Sequence, residues 1–233
     1  MIRGLIVALA LAAPVQAWAQ AQECRLALLL GLDVSASVDE AEHALQRSGL
    51  MAALLSPEVQ QPLFAGPGVV ALGIYEWSGR FQQDMIVPWR LIRTEADLAT
   101  VIEQLQSAPR STGEYPTALG YALGFAADQF AEAPPCLFQT LDISGDGQNN
   151  DGFTPDLAYQ HFPLDDVTVN GLAIGGASHE IRQYFERELI RGPGSFVEYA
   201  LNHSEFEDAM RRKLERELRV MILGAIDAPA PPG

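Results

Sequence analysis

The stretch Leu26-Ala27-Leu28-Leu29-Leu30-Gly31-Leu32-Asp33-Val34-Ser35-Ala36-Ser37 joins an unbroken apolar run to a polar turn. An apolar run without alternation is the pattern of a strand covered on both faces, so it belongs in the middle of a sheet. At Asp33 the character changes. A carboxylate and two hydroxyls follow on alternate residues, and in an extended turn all three point the same way. A buried strand thus delivers oxygen donors at its carboxyl end.

Working outward, Ser37-Val38-Asp39-Glu40 reads as a capping box that opens a helix running to about Leu55, and Val69–Trp77 is the next strand. Met85–Leu91 is another strand, interrupted by Pro88; a residue that cannot donate to a ladder places it on an edge. Thr94-Glu95-Ala96-Asp97 caps a helix with Leu98, Val101, Ile102 and Leu105 on one stripe. Thr117–Phe130 repeats the pattern with Leu119, Ala122, Leu123, Ala126 and Phe130. A strand is expected over Leu137–Ser144, followed by Gly145-Asp146-Gly147. Beyond it come a short helix near Asp156–Phe162, a strand over Val167–Ile174, a helix near Ile181–Ile190 and a short strand at Phe196–Ala200. Ser204-Glu205-Phe206-Glu207 caps a last helix, whose Phe206, Met210, Leu214 and Leu218 are expected to dock on the sheet. Strands alternating with helices define an α/β chain with a doubly wound, mostly parallel sheet and helices on both faces, in which ligands bind at the carboxyl ends of the strands.

Composition narrows the class. The chain has 233 residues, 48% hydrophobic and 19% charged, which is enough apolar material for one α/β core and too much for a disordered polymer. Thirty acidic residues against fifteen basic ones give a net charge of −15, which opposes nucleic acid and anionic lipid. Residues 1–19 read as a secretory signal peptide: Arg3, an apolar run from Leu5 to Val15, then Ala17-Trp18-Ala19 as a small-x-small cleavage site. That run is too short to span a bilayer, so no membrane insertion is expected after cleavage and the mature protein is assigned to the periplasm or the medium. One domain is expected over residues 23–226 and a disordered Pro-rich tail over 227–233.

The strand-end rule selects Asp33, Ser35, Ser37 and Asp146, with Thr117 at the start of a neighbouring helix. Five hard oxygen donors call for a divalent cation. Mg²⁺ fits best because it takes octahedral oxygen coordination while keeping several waters; Mn²⁺ and Ca²⁺ are alternatives. Two carboxylates balance two positive charges, so the site could accept a further carboxylate from a protein partner.

Asp33-x-Ser35-x-Ser37, Thr117-Ala118-Leu119-Gly120 and Asp146-Gly147, in that order along the chain, resemble the three segments of the metal-ion-dependent adhesion site of von Willebrand factor A (vWA) domains. The resemblance covers about Glu23 to Met221. Ser144-Gly145-Asp146-Gly147-Gln148-Asn149-Asn150 and Asn170-Gly171-Leu172-Ala173-Ile174 further resemble an exported bacterial vWA-like group of unknown function. It implies a six-stranded sheet with one antiparallel edge strand. It also implies a cation held by Asp33, Ser35, Ser37 and Thr117 directly or through one water, with Asp146 through water and a partner's Glu or Asp completing the shell. Thr112 is a rival for Thr117, whose Thr-Ala-Leu-Gly sequel favours it; Asp142 is a decoy expected inside the strand.

The two cysteines stand nine residues before Asp33 and ten before Asp146, at Cys24 and Cys136. If their strands are parallel neighbours, both lie at the same lower edge within disulfide reach; two buried thiols are the alternative. Catalytic signals are sparse. His43, His161, His179 and His203 lack the His-Glu-x-x-His spacing and default to surface or capping roles, and neither a Gly-x-Ser-x-Gly elbow nor a P-loop is present. A Mg²⁺-dependent phosphoesterase is the catalytic rival, weakened because Asp33-x-Ser lacks a second Asp; a structural domain with a non-functional site is the other. Asp146-Gly147-Gln148-Asn149-Asn150-Asp151-Gly152 is rich in oxygen donors but fails the EF-hand spacing counted from Asp146, and its Asn149-Asn150-Asp151-Gly152 reads as a turn of αL-tolerant residues. The sequence favours a monomeric binding module over an enzyme.

Overall fold

The computed structural model describes residues 24–227, with side chains described through 219. The signal-peptide reading of residues 1–19 lies outside the described residues, as does the tail beyond Asp227. In chain order the elements are β1 (Cys24–Asp33), α1 (Glu40–Leu55), α2 (Pro57–Ala65), β2 (Val69–Trp77), β3 (Gln83–Ile92), α3 (Glu95–Ser107), α4 (Leu119–Ala131), β4 (Cys136–Gly145), α5 (Pro155–His161), β5 (Val167–Ile174), α6 (Glu180–Tyr184), β6 (Val197–Ala200) and α7 (Phe206–Asp227). A π-helical turn (Phe185–Leu189) continues α6, and a 3₁₀ turn (His203–Glu205) leads into α7.

The six strands form one sheet in the order β3-β2-β1-β4-β5-β6, with β3 alone antiparallel. The apolar run of β1 is central because it can be buried on both faces. Leu26, Leu28, Leu30 and Leu32 face α1, α2, α3 and α7, while Ala27 and Leu29 face α4, α5 and the π turn. Phe206, Met210, Leu214 and Leu218 of α7 are all buried in the first of these layers, so the last helix docks on the sheet as expected. β3 lies on the edge, and its pairing with β2 slips between Arg90 and Val87, where Pro88 has no N–H to give. Parallel pairing in register along β1 and β4 sets Leu32 beside Ser144, which brings Asp33 and the Gly145-Asp146-Gly147 turn to one rim. At the opposite end Cys24 pairs with Cys136 and the two form a disulfide with Cα atoms 4.5 Å apart, closing 112 positions of chain.

Several local readings are corrected. The cap of α1 is Asp39, not Ser37: Asp39 Oδ1 accepts from Glu42 N at 2.8 Å and Glu42 Oε2 accepts from Asp39 N at 3.0 Å. A carboxylate facing the helix dipole outcompetes a hydroxyl two residues earlier, and the Ser37 hydroxyl is left for other work. The cap before α7 is Asn202, whose Oδ1 accepts from Ser204 N at 2.9 Å. α2 is a helix that the sequence reading leaves unassigned; Pro57 occupies its first turn, where no N–H is needed. Two histidines are not surface groups. His43 Nε2 lies 2.7 Å from buried Glu76 Oε1, and buried His203 Nδ1 lies 3.2 Å from Glu42 Oε1.

Candidate metal centre

Three loops meet at the carboxyl rim of β1 and β4. After β1 the chain turns sharply because Asp33 Oδ1 accepts from Ser35 N at 2.8 Å, a local turn that keeps Asp33 pointing into the rim. Val34 N donates to Trp77 O, Ala36 N to Tyr115 O, and Arg110 Nη2 reaches Val38 O at 2.6 Å. The loop is therefore tied to β2 and to the segment before α4 rather than left to itself. Beneath it, Gln46 of α1 donates to Asp33 O at 3.2 Å.

The hydroxyls and carboxylates form a continuous chain. Thr117 Oγ1 donates to Ser35 Oγ at 3.2 Å, Ser35 Oγ and Ser37 Oγ share a hydrogen bond at 3.2 Å, and Ser37 Oγ donates to Asp146 Oδ1 at 2.6 Å. Asp33, Ser35 and Thr117 are buried at the floor, Asp146 is half-buried and Ser37 is exposed, so the cluster opens to solvent at one side. All five residues selected in the sequence are brought together. The rival Thr112 is exposed on the loop before them, where its carbonyl accepts from Ser78 Oγ. The decoy Asp142 lies within β4, buried, with Lys213 Nζ of α7 3.0 Å from its Oδ1.

Thr117 is set in place by residues that sequence reasoning assigned to a simple turn. Asn150 Oδ1 accepts from Thr117 N at 2.9 Å, Asn150 N donates to Thr117 O at 2.9 Å, and Asn149 Oδ1 accepts from Gly120 N at 3.1 Å. Both asparagines keep negative φ, and Gly152 takes the left-handed position of that turn at φ +69°. Their amide side chains, not αL tolerance, explain why they are asparagines. A second support lies under the loop. Burial alone would raise the Glu76 carboxyl, but hydrogen bonds from His43 and Arg47, the Arg47 charge and the Ser111 N–H outweigh it and hold it down at about 2. Arg47 also donates to Leu105 O at 2.6 Å, binding α1 to the end of α3.

The donor set fits a hard dication. Asp33 Oδ2 is buried with no hydrogen-bond partner, which is costly unless something cationic shares it. Burial, and secondarily the Asp146 charge, push the Asp33 carboxyl up to about 7 without such a partner. The space beside it is kept free by glycine: a Cβ at Gly145 would stand 3.0 Å from Asp33 Oδ2, and one at Gly147 would stand 3.1 Å from Thr117 Oγ1. The cluster's two carboxylates and three hydroxyls are all oxygen donors; among the described residues no group of three or more His, Cys, Asp or Glu side chains gathers.

This sheet order and rim define a vWA-like fold. Similar solved structures include proximal thread matrix protein 1 from the mussel byssus, at 16% identity over 84% of this chain and 48% of that one with a TM-score of 0.62. Another structure of that protein is described as having a zinc-occupied MIDAS motif. A von Willebrand factor type A protein from Catenulispora acidiphila matches at 15% identity, covering 84% of this chain and 43% of that one with a TM-score of 0.57. BatB from Bacteroides thetaiotaomicron matches at 14% identity over 84% and 98% of the two chains with a TM-score of 0.56. The chain thus spans about half the length of the first two. No curated protein matches. Residues 23–222 match the family model described as "Protein of unknown function (DUF1194)", and the chain belongs to that family.

Proposed function

We propose that the chain is an exported, monomeric vWA-like binding module, one domain over residues 23–226, whose rim holds a divalent cation and through it an acidic side chain of a partner protein. Asp33, Ser35, Ser37, Thr117 and Asp146 are the proposed ligand set, with Mg²⁺ the first choice and Mn²⁺ or Ca²⁺ alternatives. The observation that carries this reading is the unpartnered, buried Asp33 Oδ2, beside a glycine and at the floor of an open oxygen cluster. Once bound, the cation supplies two positive charges that offset Asp33 and Asp146 and leave room for one more anionic oxygen.

The chain's own residues do the rest. The Asp33 turn and Asn150 fix the floor ligands before any ion arrives, which lowers the ordering cost of binding. Ser37 and Asp146 stand at the solvent side, where a partner's carboxylate can reach the ion. Export is supported by the Cys24–Cys136 disulfide, which persists in oxidising compartments, and among the described residues no helix is long and apolar enough to cross a membrane. The vWA-like neighbours, several of them adhesins or structural proteins by name, favour a binding role over an enzymatic one.

The test uses N-acetyl-glutamate methylamide as a carboxylate probe, followed by nuclear magnetic resonance with and without Mg²⁺. Saturable shifts at Ser37 and Asp146 that need Mg²⁺ and vanish in Asp33→Ala support the proposal. Shifts that persist in chelator, or none in Mg²⁺, overturn it.

A further inference from the structure

Lys213 is the one lysine in the chain; the other fourteen of its fifteen basic residues are arginines. It is fully buried, at 0% exposure, on the sheet-facing side of α7. Two carboxylates meet it there: Asp142 of β4, whose Oδ1 lies 3.0 Å from Lys213 Nζ, and Glu217, one turn along α7, whose Oε1 lies 2.8 Å away. Asp142 is 1% exposed and Glu217 2%, so water is shut out. Asn170, the register partner of Asp142 on β5, donates Nδ2 to Glu217 Oε1 at 2.6 Å, and its own Oδ1 accepts from Phe196 N at 3.0 Å. The Phe196 ring covers the amine, its centroid 4.8 Å from Nζ.

A structural cation does not need to be lysine. Where the fold ties down a buried carboxylate elsewhere, at Glu76, it uses Arg47, and a guanidinium keeps its proton in proteins. An ammonium can give its proton up and become a nucleophile. Nor is this an ordinary ion pair. Two carboxylates share one ammonium, and both Asp142 oxygens and Glu217 Oε2 are buried without a hydrogen bond among the described residues. Burial pushes the Asp142 carboxyl up to about 7 against the pull of the Lys213 charge, and the Glu217 charge adds to the rise. Passing the proton from Lys213 to Asp142 removes two charges from a dry site at constant net charge, and it leaves a free amine against a neutral acid.

We infer that Lys213 and Asp142 form a self-modification site, joined by an amide bond that Glu217 helps to make. The Lys213 nitrogen forms a bond to Asp142 Cγ. Glu217 takes a proton from that nitrogen and passes it to the departing Asp142 hydroxyl, so a Cγ–O bond breaks and one water leaves. Ammonium and carboxylate become amide and water, no oxidant or co-reactant is consumed, and Glu217 ends as it began. Nζ already touches the carboxyl, so the step is intramolecular and needs only a small approach to Cγ. The bond staples the last helix to the middle of β4, whose first residue, Cys136, is already stapled to β1. It does not depend on the metal reading.

The experiment takes the full chain, reduced and denatured, and dimethylates every free amine with formaldehyde and cyanoborohydride before mass spectrometry. Because there is no other lysine, the inference expects a single modified amine per chain, at the amino terminus, together with a mass short by one water and a branched tryptic peptide joining Lys213 to Asp142. A dimethylated Lys213 with full mass overturns it. So does a missing water that maps to Asp146-Gly147 or Asp151-Gly152, where an aspartate can cyclise onto its own backbone, or a link from Lys213 to Asn170 with loss of ammonia. Glu217→Gln, with the parent's circular dichroism, should regain the full mass and a reactive Lys213; a folded variant that still lacks the water overturns the role given to Glu217. If that variant does not fold, the mass and peptide map of the parent decide alone.

Discussion

Ser37 and Asp146, separated by 109 positions in the chain, meet through a hydrogen bond of 2.6 Å. Nothing local joins them. The contact exists because β1 and β4 run in parallel register and end together, and because Asp39 has taken over the capping of α1, leaving Ser37 free to turn toward the rim. The expectations below follow from that geometry.

Asp33 links binding to stability. Its carboxyl, pushed up to about 7 by burial and the nearby Asp146, favours the metal-free fold while protonated. That contribution is complete below the unfolded value near 4 and is lost as pH rises through 7, a difference of roughly 4 kcal/mol at most. Asp33→Asn removes the penalty. In chelator at pH 8 the variant is expected to melt above the parent, with the gap closing by pH 4, as scanning calorimetry would read. An equal gap at both pH values contradicts the account.

Asn150 tests whether Thr117 must be held. Asn150→Ala deletes the acceptor of the Thr117 N–H without touching the oxygen cluster. Residues that orient ligands cost about 10–100-fold in metal affinity when removed. Titration calorimetry should show Mg²⁺ binding weakened at least tenfold in the variant, with circular dichroism unchanged.

Glu76 is a stability element under the rim. Its carboxyl is held at about 2, below the ordinary value of 4.5, so its contribution is complete above pH 4.5 and disappears as pH falls toward 2. Glu76→Gln should cost about 3 kcal/mol at pH 7, because it strips the charge partner of buried Arg47. Urea denaturation of parent and variant should converge near pH 2. A cost independent of pH would assign Glu76 a packing role only.

The Cys24–Cys136 bond closes a long loop across the two central strands. In the chain-entropy model such a loop is worth about 4–5 kcal/mol. For a chain of this size, replacing both cysteines by alanine should lower the melting temperature by roughly 10–15 °C. No change would mean that the unfolded chain gains nothing from the bond.

Much of this was legible from local chemistry. β2 and β5 match the sequence reading end for end, because apolar strands bounded by turns leave little freedom. The edge position of β3 follows from one proline, and four of the five oxygen-bearing residues follow from where strands end, Thr117 from the start of α4. What escaped depended on competition between nearby groups. Ser37 and Asp39 are both good caps, and only the tertiary pull of Asp146 on Ser37 separates them. Asn149 and Asn150 look like turn residues in sequence because their partners, Gly120 and Thr117, lie about thirty positions away. His43 carries no sign of Glu76, which it meets only through packing of α1 on β2.

The central claim is that Asp33, Ser35, Ser37, Thr117 and Asp146 hold a dication, and isothermal titration of the chain with Mg²⁺, Mn²⁺ and Ca²⁺ addresses it most directly. The account expects one saturable site per chain, lost in Asp33→Ala while circular dichroism keeps the parent spectrum. The absence of a saturable site for all three ions, or an undiminished one in Asp33→Ala, would contradict it.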